Sequence, residues 1–229
     1  MQDKNSAKQK IIIGKIKAKL QSLIDRNAAS CTAPEFADVY AEALFLFDEF
    51  VAEHLRAEDL SLACGAGCGV CCRHWTEDVY SFEAERLSVH IRANRADEIP
   101  ELLSRLEEDE RLLANITSVG KEGGIVSDYN MAMIAFYNLD RPCPLIDATG
   151  SCTVYPLRPM ICRAFVNTAE PANCLPENFT RKNSGAMIIL LDYECEEMLN
   201  FLHIRYSSLA EDMGLRSQLK RLLSAKSSM

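Results

Sequence analysis

Eight of the ten cysteines fall into two tight clusters whose spacing is typical of metal binding. The first cluster, in the stretch CGAGCGVCC, holds Cys64, Cys68, Cys71 and Cys72. The second begins in CPLIDATGSCTVYPLRPMICRAF and holds Cys143, Cys152, Cys162 and Cys174. Thiolates are soft ligands that suit Zn²⁺ and iron–sulfur clusters, and glycines let the backbone wrap closely around an ion. The sequence therefore predicts a metal-binding protein with these eight cysteines as ligands.

The number of metal centres is left open by the spacing. Eight cysteines match two four-thiolate sites, and they also match one cluster with spare thiols. Side chains of successive residues in extended backbone point to opposite sides, so one centre is poorly placed to take both Cys71 and Cys72. We expect one of the pair to face each of two nearby centres, or one to stay unligated. An iron–sulfur cluster is favoured over zinc, because Cys143-Pro144 resembles the end of bacterial ferredoxin motifs.

Three further side chains near the second cluster are candidates for a supporting role around the metal. Arg158 and Arg163 lie on either side of Cys162, and Tyr155 lies just before them. Thiolate clusters carry negative charge, which neighbouring guanidinium groups stabilise. The alternative is that both arginines only solubilise the loop.

The remaining cysteines and the nearest histidine have more ordinary interpretations. Cys31 and Cys195 lie outside both clusters, and buried thiols that pack like small hydrophobic residues are the expectation there. His74 follows Cys72 by two residues and is a further candidate ligand.

Hydrophobic periodicity predicts a mainly α protein. Apolar residues recur at helical spacing from Ile13 to Leu23, and Thr32-x-x-Glu35 with Pro34 predicts a capping box at the start of a second helix. Further helices are predicted from Ser81, over 97–118, from Met131 to Tyr137, over 193–212 and over 214–224. Residues 121–127 are expected to be a linker, and 186–191 to be a strand or a helix start. Residues 140–180 are rich in Pro and Gly and are expected to be irregular.

The fold class that follows is a helical domain with two irregular cysteine-rich metal-binding loops. N-terminal helices over 1–62 are expected to pack on a cysteine-cluster domain over 63–180. C-terminal helices over 181–229 complete that same domain.

Charge and hydropathy exclude several classes of function. The sequence has a net charge of −8, and its basic residues concentrate in the first 20 residues and after residue 213. We expect these basic ends to be solvated helix surfaces, and the acidic body argues against nucleic-acid binding. The longest apolar run, Ala186 to Leu191, is far short of the ~20 residues that a membrane span requires.

The absence of a signal-peptide pattern predicts a cytoplasmic protein, since Ile11 to Ile13 is too short for the apolar region of a signal peptide. Clustered cysteines in a reducing compartment favour metal over disulfides. A secreted disulfide scaffold is disfavoured because such proteins are usually smaller and contain less helix.

The second cluster carries a specific resemblance. It reads C-P, a loop, then G-x-C-x-x-Y-x-x-R-P-x-x-C-R-x-F, at Cys143, Pro144, Gly150, Cys152, Tyr155, Arg158, Pro159, Cys162, Arg163 and Phe165. This resembles the CxxCxxCC, or YkgJ-like, family of cysteine-cluster proteins, over roughly residues 60–175. The resemblance implies zinc or iron chelation without a settled reaction. A similar module occurs in flagellin lysine N-methylases, which implies methyl transfer at the level of the family only. The first cluster departs from the family by one residue, with three residues between Cys64 and Cys68.

Radical S-adenosylmethionine enzymes share the Cys64-x3-Cys68-x2-Cys71 spacing but fit less well. They usually have an aromatic residue before the last cysteine, where this sequence has Val70. They also need β–α units, which a mainly helical chain lacks. Cys72 and the second cluster are left unexplained by that interpretation.

Three hypotheses for function remain, and the sequence does not decide whether the protein is an enzyme. The first is a redox or group-transfer protein with an iron–sulfur centre and an electron or methyl donor as partner. The second is a zinc-stabilised adaptor that binds an unknown protein. The third is a metal chaperone or sensor.

Overall fold

A computed structural model describes residues 6–65, 67–122, 129–175, 185–207 and 214–225. The mainly α prediction is confirmed, since the described part of the chain contains eight α-helices and one small two-stranded sheet. The helices are α1 (Ala7–Arg26), α2 (Pro34–Ala57), α3 (Ser81–Asn94), α4 (Ile99–Glu122), α5 (Tyr129–Tyr137), α6 (Met160–Ala164), α7 (Tyr193–Tyr206) and α8 (Leu215–Ser224). None of the helices in these residues is long and apolar enough to cross a membrane.

The first layer of the fold is α1 packed against α2 and α7. The apolar stripe predicted on α1, from Ile13 to Leu23, is buried in this layer. A capping box starts α1: Gln9 N–H donates to Ser6 Oγ at 3.2 Å, and Ser6 N–H donates to Gln9 Oε1 at 2.5 Å. Two of the N–H groups that lack a partner within the helix at its start are thereby satisfied.

The capping box predicted at Thr32 is wrong. The residue before α2 is Ala33, and no side chain caps the helix. The Thr32 hydroxyl lies 2.8 Å from the Ser30 hydroxyl instead. Pro34 at the first helical position fixes the start of α2, because its φ is already helical and it has no N–H to satisfy.

The second layer joins α8 to α3 and α4, and it corrects the expectation of a solvated basic C-terminal end. Arg216 on α8 is only 2 % exposed. Its Nε donates to the buried Asp109 at 2.9 Å, and its guanidinium lies 5.1 Å from the centre of the Phe136 ring. A buried carboxylate on α4 therefore draws this arginine inward, and its charge is paired rather than solvated.

The segment 140–180 is more regular than predicted. It contains α6 and the strand β1 (Phe165–Asn167), which pairs antiparallel with β2 (Ala186–Ile188). The pairing settles the ambiguity at 186–191 in favour of a strand. α7 ends at Tyr206, earlier than predicted, and residues 208–212 lie outside the described part, as do 123–127 of the predicted linker. The domain boundaries stay a prediction.

Candidate metal centre

The two cysteine clusters lie against each other because two glycines permit a close backbone approach. A Cβ atom on Gly150 would lie 2.5 Å from the carbonyl oxygen of Gly67, and both residues have positive φ angles. A side chain at residue 150 is therefore excluded on two grounds. Beside this contact, the N–H of Cys143 donates to the carbonyl oxygen of Cys72 at 2.7 Å.

Short turns present the cysteines of both clusters. Cys71 and Cys72 lie in a 3₁₀ turn, Cys71–Arg73, and Cys152 forms an isolated β-bridge with Ile146. Cys162 is on α6, and Cys174 ends the 3₁₀ turn Pro171–Cys174. All ten cysteines of the sequence are described, and all are free thiols.

Asn167, at the end of β1, donates hydrogen bonds to two of the eight thiols. Its backbone N–H donates to Cys64 Sγ at 3.2 Å, and its side-chain amide donates to Cys174 Sγ. Burial raises the pKa of Cys64, the Asn167 bond opposes that rise, and negative charge on Cys71, Cys68 and Cys174 adds to it. Charges act on a pKa in this way only over short distances. We call Cys64, Cys68, Cys71 and Cys174 the Asn167 set.

The other four thiols are Cys162 and three thiols that interact with it. Burial raises the pKa of Cys162 well above its usual value, and negative charge on Cys143, Glu83, Cys71 and Cys152 raises it further. The pKa of Cys72 is raised chiefly by its hydrogen bond to Cys71 and by burial, and then by the charges of Cys71, Cys143 and Cys162. We call Cys72, Cys143, Cys152 and Cys162 the Cys162 set. The two sets exchange Cys72 and Cys174 relative to the two clusters of the sequence.

Adjacent Cys71 and Cys72 are the point where the two sets meet. The Cys72 thiol donates a hydrogen bond to the Cys71 sulfur, which is the largest cause of a Cys71 pKa lowered to about 7. The charges of Arg158 and Arg73 lower it further. Cys71 acts on Cys64 and also on Cys162, so the pair marks the place where the two sets meet. Which centre either residue binds stays a prediction.

The two arginines beside Cys162 differ in what they contact. Arg163 is buried and donates to Asp48, to the carbonyl oxygen of Pro156 at 2.8 Å and to that of Arg158 at 3.0 Å. All three nitrogens of its guanidinium are therefore occupied in bracing the loop before α6.

Arg158 is the arginine that acts on the thiols. Its guanidinium lies over the Tyr155 ring, 4.2 Å from the ring centre, while its Nε is buried and has no hydrogen-bond partner. Its charge lowers the pKa of Cys71 and also opposes the burial that raises the pKa of Cys152. The half-exposed ring of Tyr155 makes a cation–π contact with this guanidinium.

His74 lies in an aromatic stack next to the first cluster. Its ring is parallel to that of Tyr137, with the ring centres 3.9 Å apart. Burial lowers the pKa of His74 to about 4, and the charge of Arg216 lowers it further. Cys31 and Cys195 are buried in the hydrophobic core, as expected of packing thiols.

Sequence reasoning missed two buried polar residues at the site, Asn167 and Glu83. Asn167 is 2 % exposed and sits two residues beyond the R-x-F motif, with no spacing signal of its own. Glu83 on α3 is also 2 % exposed, and its charge raises the pKa of Cys162. A charged residue within a helix is expected to lie on the solvated face, so the burial of Glu83 becomes visible only from the packing of α2, α3 and α6.

Metal is compatible with the chemistry of this donor set. Among the described residues, no group of three or more His, Cys, Asp or Glu side chains is arranged to hold a metal ion. Eight clustered thiols suit zinc or iron, and the unpartnered Arg158 Nε supplies a donor for a thiolate or sulfide.

One comparison with known proteins gives a match. The CxxCxxCC family, described as a "putative zinc- or iron-chelating domain", matches residues 63–185. This range contains all eight clustered cysteines together with Arg158, Asn167 and Glu83. No curated protein and no solved structure gives a significant match.

Proposed function

This chain belongs to the CxxCxxCC family, described as zinc- or iron-chelating, and on that premise we propose that its eight clustered cysteines hold two metal centres. The observation that supports two centres is the division of the eight thiols into the Asn167 set and the Cys162 set. Four thiolates complete the coordination of one zinc ion or hold one iron–sulfur cluster. Arg158 would stabilise the negative charge where the sets meet.

The centres are proposed to be iron–sulfur clusters, and the protein to take part in electron or group transfer. Bound clusters would supply one-electron redox chemistry at the junction of the two sets. The amide donors of Asn167 and the charge of Arg158 are features that tune such clusters in proteins. A reducing cytoplasm would keep the thiols available, and an electron or methyl donor would be the partner.

A zinc-dependent role is the second candidate, and the arrangement of the thiols is the observation in its favour. Seven of the eight clustered cysteines are only partly buried, which suits a protein that takes up and releases metal, as a chaperone or sensor does. A zinc-stabilised adaptor is the third form of this candidate, with the helical surface as its binding face and an unknown protein as partner.

Anaerobic purification followed by metal analysis and visible spectroscopy tests these proposals together. Iron and acid-labile sulfide with brown colour support the cluster, whereas two equivalents of zinc and no colour support the structural role. Zinc that a mild chelator removes without unfolding the protein supports the chaperone or sensor. Protein with neither metal, and no uptake of either, would contradict metal binding altogether.

A further inference from the structure

Glu83 is a buried carboxylate whose hydrogen bonding is incomplete. Its Oε1 accepts from the Tyr40 hydroxyl at 2.6 Å and from the N–H of Met160 at 2.8 Å. Its Oε2 is buried and has no hydrogen-bond partner. Buried polar atoms are nearly always paired, and an unpaired carboxylate oxygen is costly. This second oxygen is therefore a sign that Glu83 has a role beyond packing.

The position of Glu83 ties it to Cys162. Met160 is the first residue of α6, and Cys162 follows two residues later in the same helical turn. A hydrogen bond to the N–H of Met160 therefore fixes the end of α6 from which the Cys162 side chain projects. Tyr40 on α2 holds the same carboxylate oxygen from the other side.

No cation compensates the carboxylate directly. Within the described residues Glu83 makes no ion pair. The charge of Arg86 acts on it, but the Arg86 guanidinium donates to the carbonyl oxygen of Ala37 and lies over the Tyr40 ring. Arg163 is committed to Asp48 and to two carbonyl oxygens. Burial raises the pKa of the Glu83 carboxyl, while the hydrogen bonds from Tyr40 and Met160 oppose that rise, and its charge acts on Cys162. A buried carboxyl close enough to act on this thiol, and without its own counter-ion, is suited to a site that receives a cation.

We infer that Glu83 is a positioning residue for a metal centre formed by the Cys162 set. Oε1 holds α6 so that Cys162 faces Cys72, Cys143 and Cys152, and the carboxylate charge adds to the attraction for the metal ion. The inference rests on the proposed function, and it assigns an anionic neighbour to one of the two centres.

Cobalt titration of the full-length, metal-free protein tests this role, because thiolate-to-cobalt charge-transfer absorption reports how many cysteines bind the ion. Wild-type protein is expected to take up two equivalents with thiolate absorption. Glu83→Gln keeps the volume and an acceptor for Met160 but removes the charge. We expect it to weaken one of the two equivalents by about 10- to 100-fold, the range found when residues that support metal ligands are removed. Glu83→Ala should weaken that equivalent at least as much.

The control is Glu85→Gln, on the same helix, whose carboxylate accepts from the core thiol of Cys31 at 3.2 Å. It should leave both cobalt affinities unchanged. Cys162→Ala should abolish the equivalent that Glu83→Gln weakens, and the double variant should lose no more than Cys162→Ala alone. Melting of each metal-free variant separates the role from general instability, since a purely structural residue would lower the melting temperature and leave the cobalt spectrum of folded protein unchanged.

The outcomes distinguish failure of the proposed function from failure of the role assigned to Glu83. Wild-type protein without thiolate absorption would overturn the proposed function itself. Two equivalents in wild type with an identical titration of Glu83→Gln and Glu83→Ala would overturn only the role of Glu83. Weaker cobalt binding in Glu83→Ala but not in Glu83→Gln would overturn the contribution of the charge and support only the positioning of α6.

Discussion

The Asn167 set and the Cys162 set each contain four cysteine sulfurs, but the neighbouring polar groups differ. In the Asn167 set, burial raises the pKa values of Cys64 and Cys174, and the backbone N–H and side-chain amide of Asn167 oppose that rise by donating to the two sulfurs. In the Cys162 set, a buried carboxylate lies beside Cys162, which opposes ionisation until a cation arrives. Chemically identical thiols therefore differ in how readily they ionise, because one set lies beside an amide donor and the other beside a carboxylate. The two proposed centres should accordingly differ in metal affinity and in chemistry.

Replacing paired cysteines should have the largest effect, because it tests whether the sets or the sequence clusters are the units of metal binding. Cys72→Ala and Cys143→Ala are expected to abolish the same equivalent, so the double variant keeps the other. Cys72→Ala combined with Cys64→Ala should abolish both. A structural thiolate site contributes ~10 kcal/mol or more to apparent folding free energy, so loss of both should lower the melting temperature of the purified variant to that of metal-free wild-type protein.

Metal analysis and circular dichroism of the purified variants provide the measurement, with Cys31→Ser and Cys195→Ser as controls that keep both equivalents. Loss of both equivalents from Cys72→Ala combined with Cys143→Ala would instead make one shared centre the better description.

Arg216→Ala should weaken the Cys162 set, and its effect on stability should be the next largest. The guanidinium donates to the carbonyl oxygens of His74 and Arg141, which lie two residues from Cys72 and Cys143 respectively, and both of these thiols belong to that set. Removing one partner of a buried ion pair such as Arg216–Asp109 costs about 3–5 kcal/mol. Chemical denaturation of the metal-free protein measures this loss, and Arg221→Ala, on the exposed face of the same helix, is the matched control. A change below the error of the control would contradict the structural role of Arg216.

Arg163→Gln and Arg158→Gln should separate support of the fold from support of the thiols. Arg163 occupies all its donors with the fold, so its loss should cost about 2 kcal/mol in the metal-free protein. Arg158 contacts Tyr155 and acts on Cys71, so its loss should leave metal-free stability nearly unchanged while weakening metal retention about tenfold. Chemical denaturation and chelator competition, carried out on both variants, measure the free energy of unfolding and the retention of metal. Equal changes in the two variants would contradict this contrast.

The sequence predicts the helices and the general chemistry because both depend on local spacing. The stripe from Ile13 to Leu23 needs only helical periodicity, and the cysteine clusters need only their gaps. The prediction of a capping box at Thr32 was wrong because the Thr32 hydroxyl contacts Ser30 and Pro34 fixes the start of α2. A two-residue sequence pattern takes neither of these neighbours into account.

The sorting of the thiols could not be predicted because it depends on contacts between distant segments. Asn167, more than a hundred residues after Cys64, donates to both Cys64 and Cys174. The N–H of Cys143 reaches the carbonyl oxygen of Cys72 beside the contact of Gly67 with Gly150. The burial of Glu83 and Arg216 could not be predicted for a related reason. A charged residue is expected to be exposed, and only tertiary packing shows that Glu83 contacts α6 and that Arg216 pairs with Asp109 in the interior.

Asn167→Ala should affect only the Asn167 set, by roughly tenfold in metal affinity, because it removes a single amide donor while the backbone N–H to Cys64 remains. Cobalt titration should show one weakened and one unchanged equivalent, the reverse of the pattern expected for Glu83→Gln. Asn200→Ala, at an exposed position of α7, is the control. Weakening of both equivalents would mean that the sets do not bind independently.

Alkylation of the metal-free protein should show the smallest difference between the sets, confined to Cys71. Its pKa is lowered to about 7 from the usual 9.0, chiefly by the hydrogen bond from Cys72 and then by the charge of Arg158. Because a lowered pKa leaves the thiolate present above pH 7 and removes it as pH falls below 7, iodoacetamide should label Cys71 first, with a rate whose midpoint lies near pH 7. Cys72→Ala should move that midpoint upward more than Arg158→Gln does, since it removes the larger cause. Peptide mapping over a pH series measures both shifts, and the labelling should stop when metal is added if four thiolates close the Asn167 set. A midpoint near the usual thiol value, or earlier labelling at Cys162, would show that the surroundings of the two sets do not separate their thiols in solution.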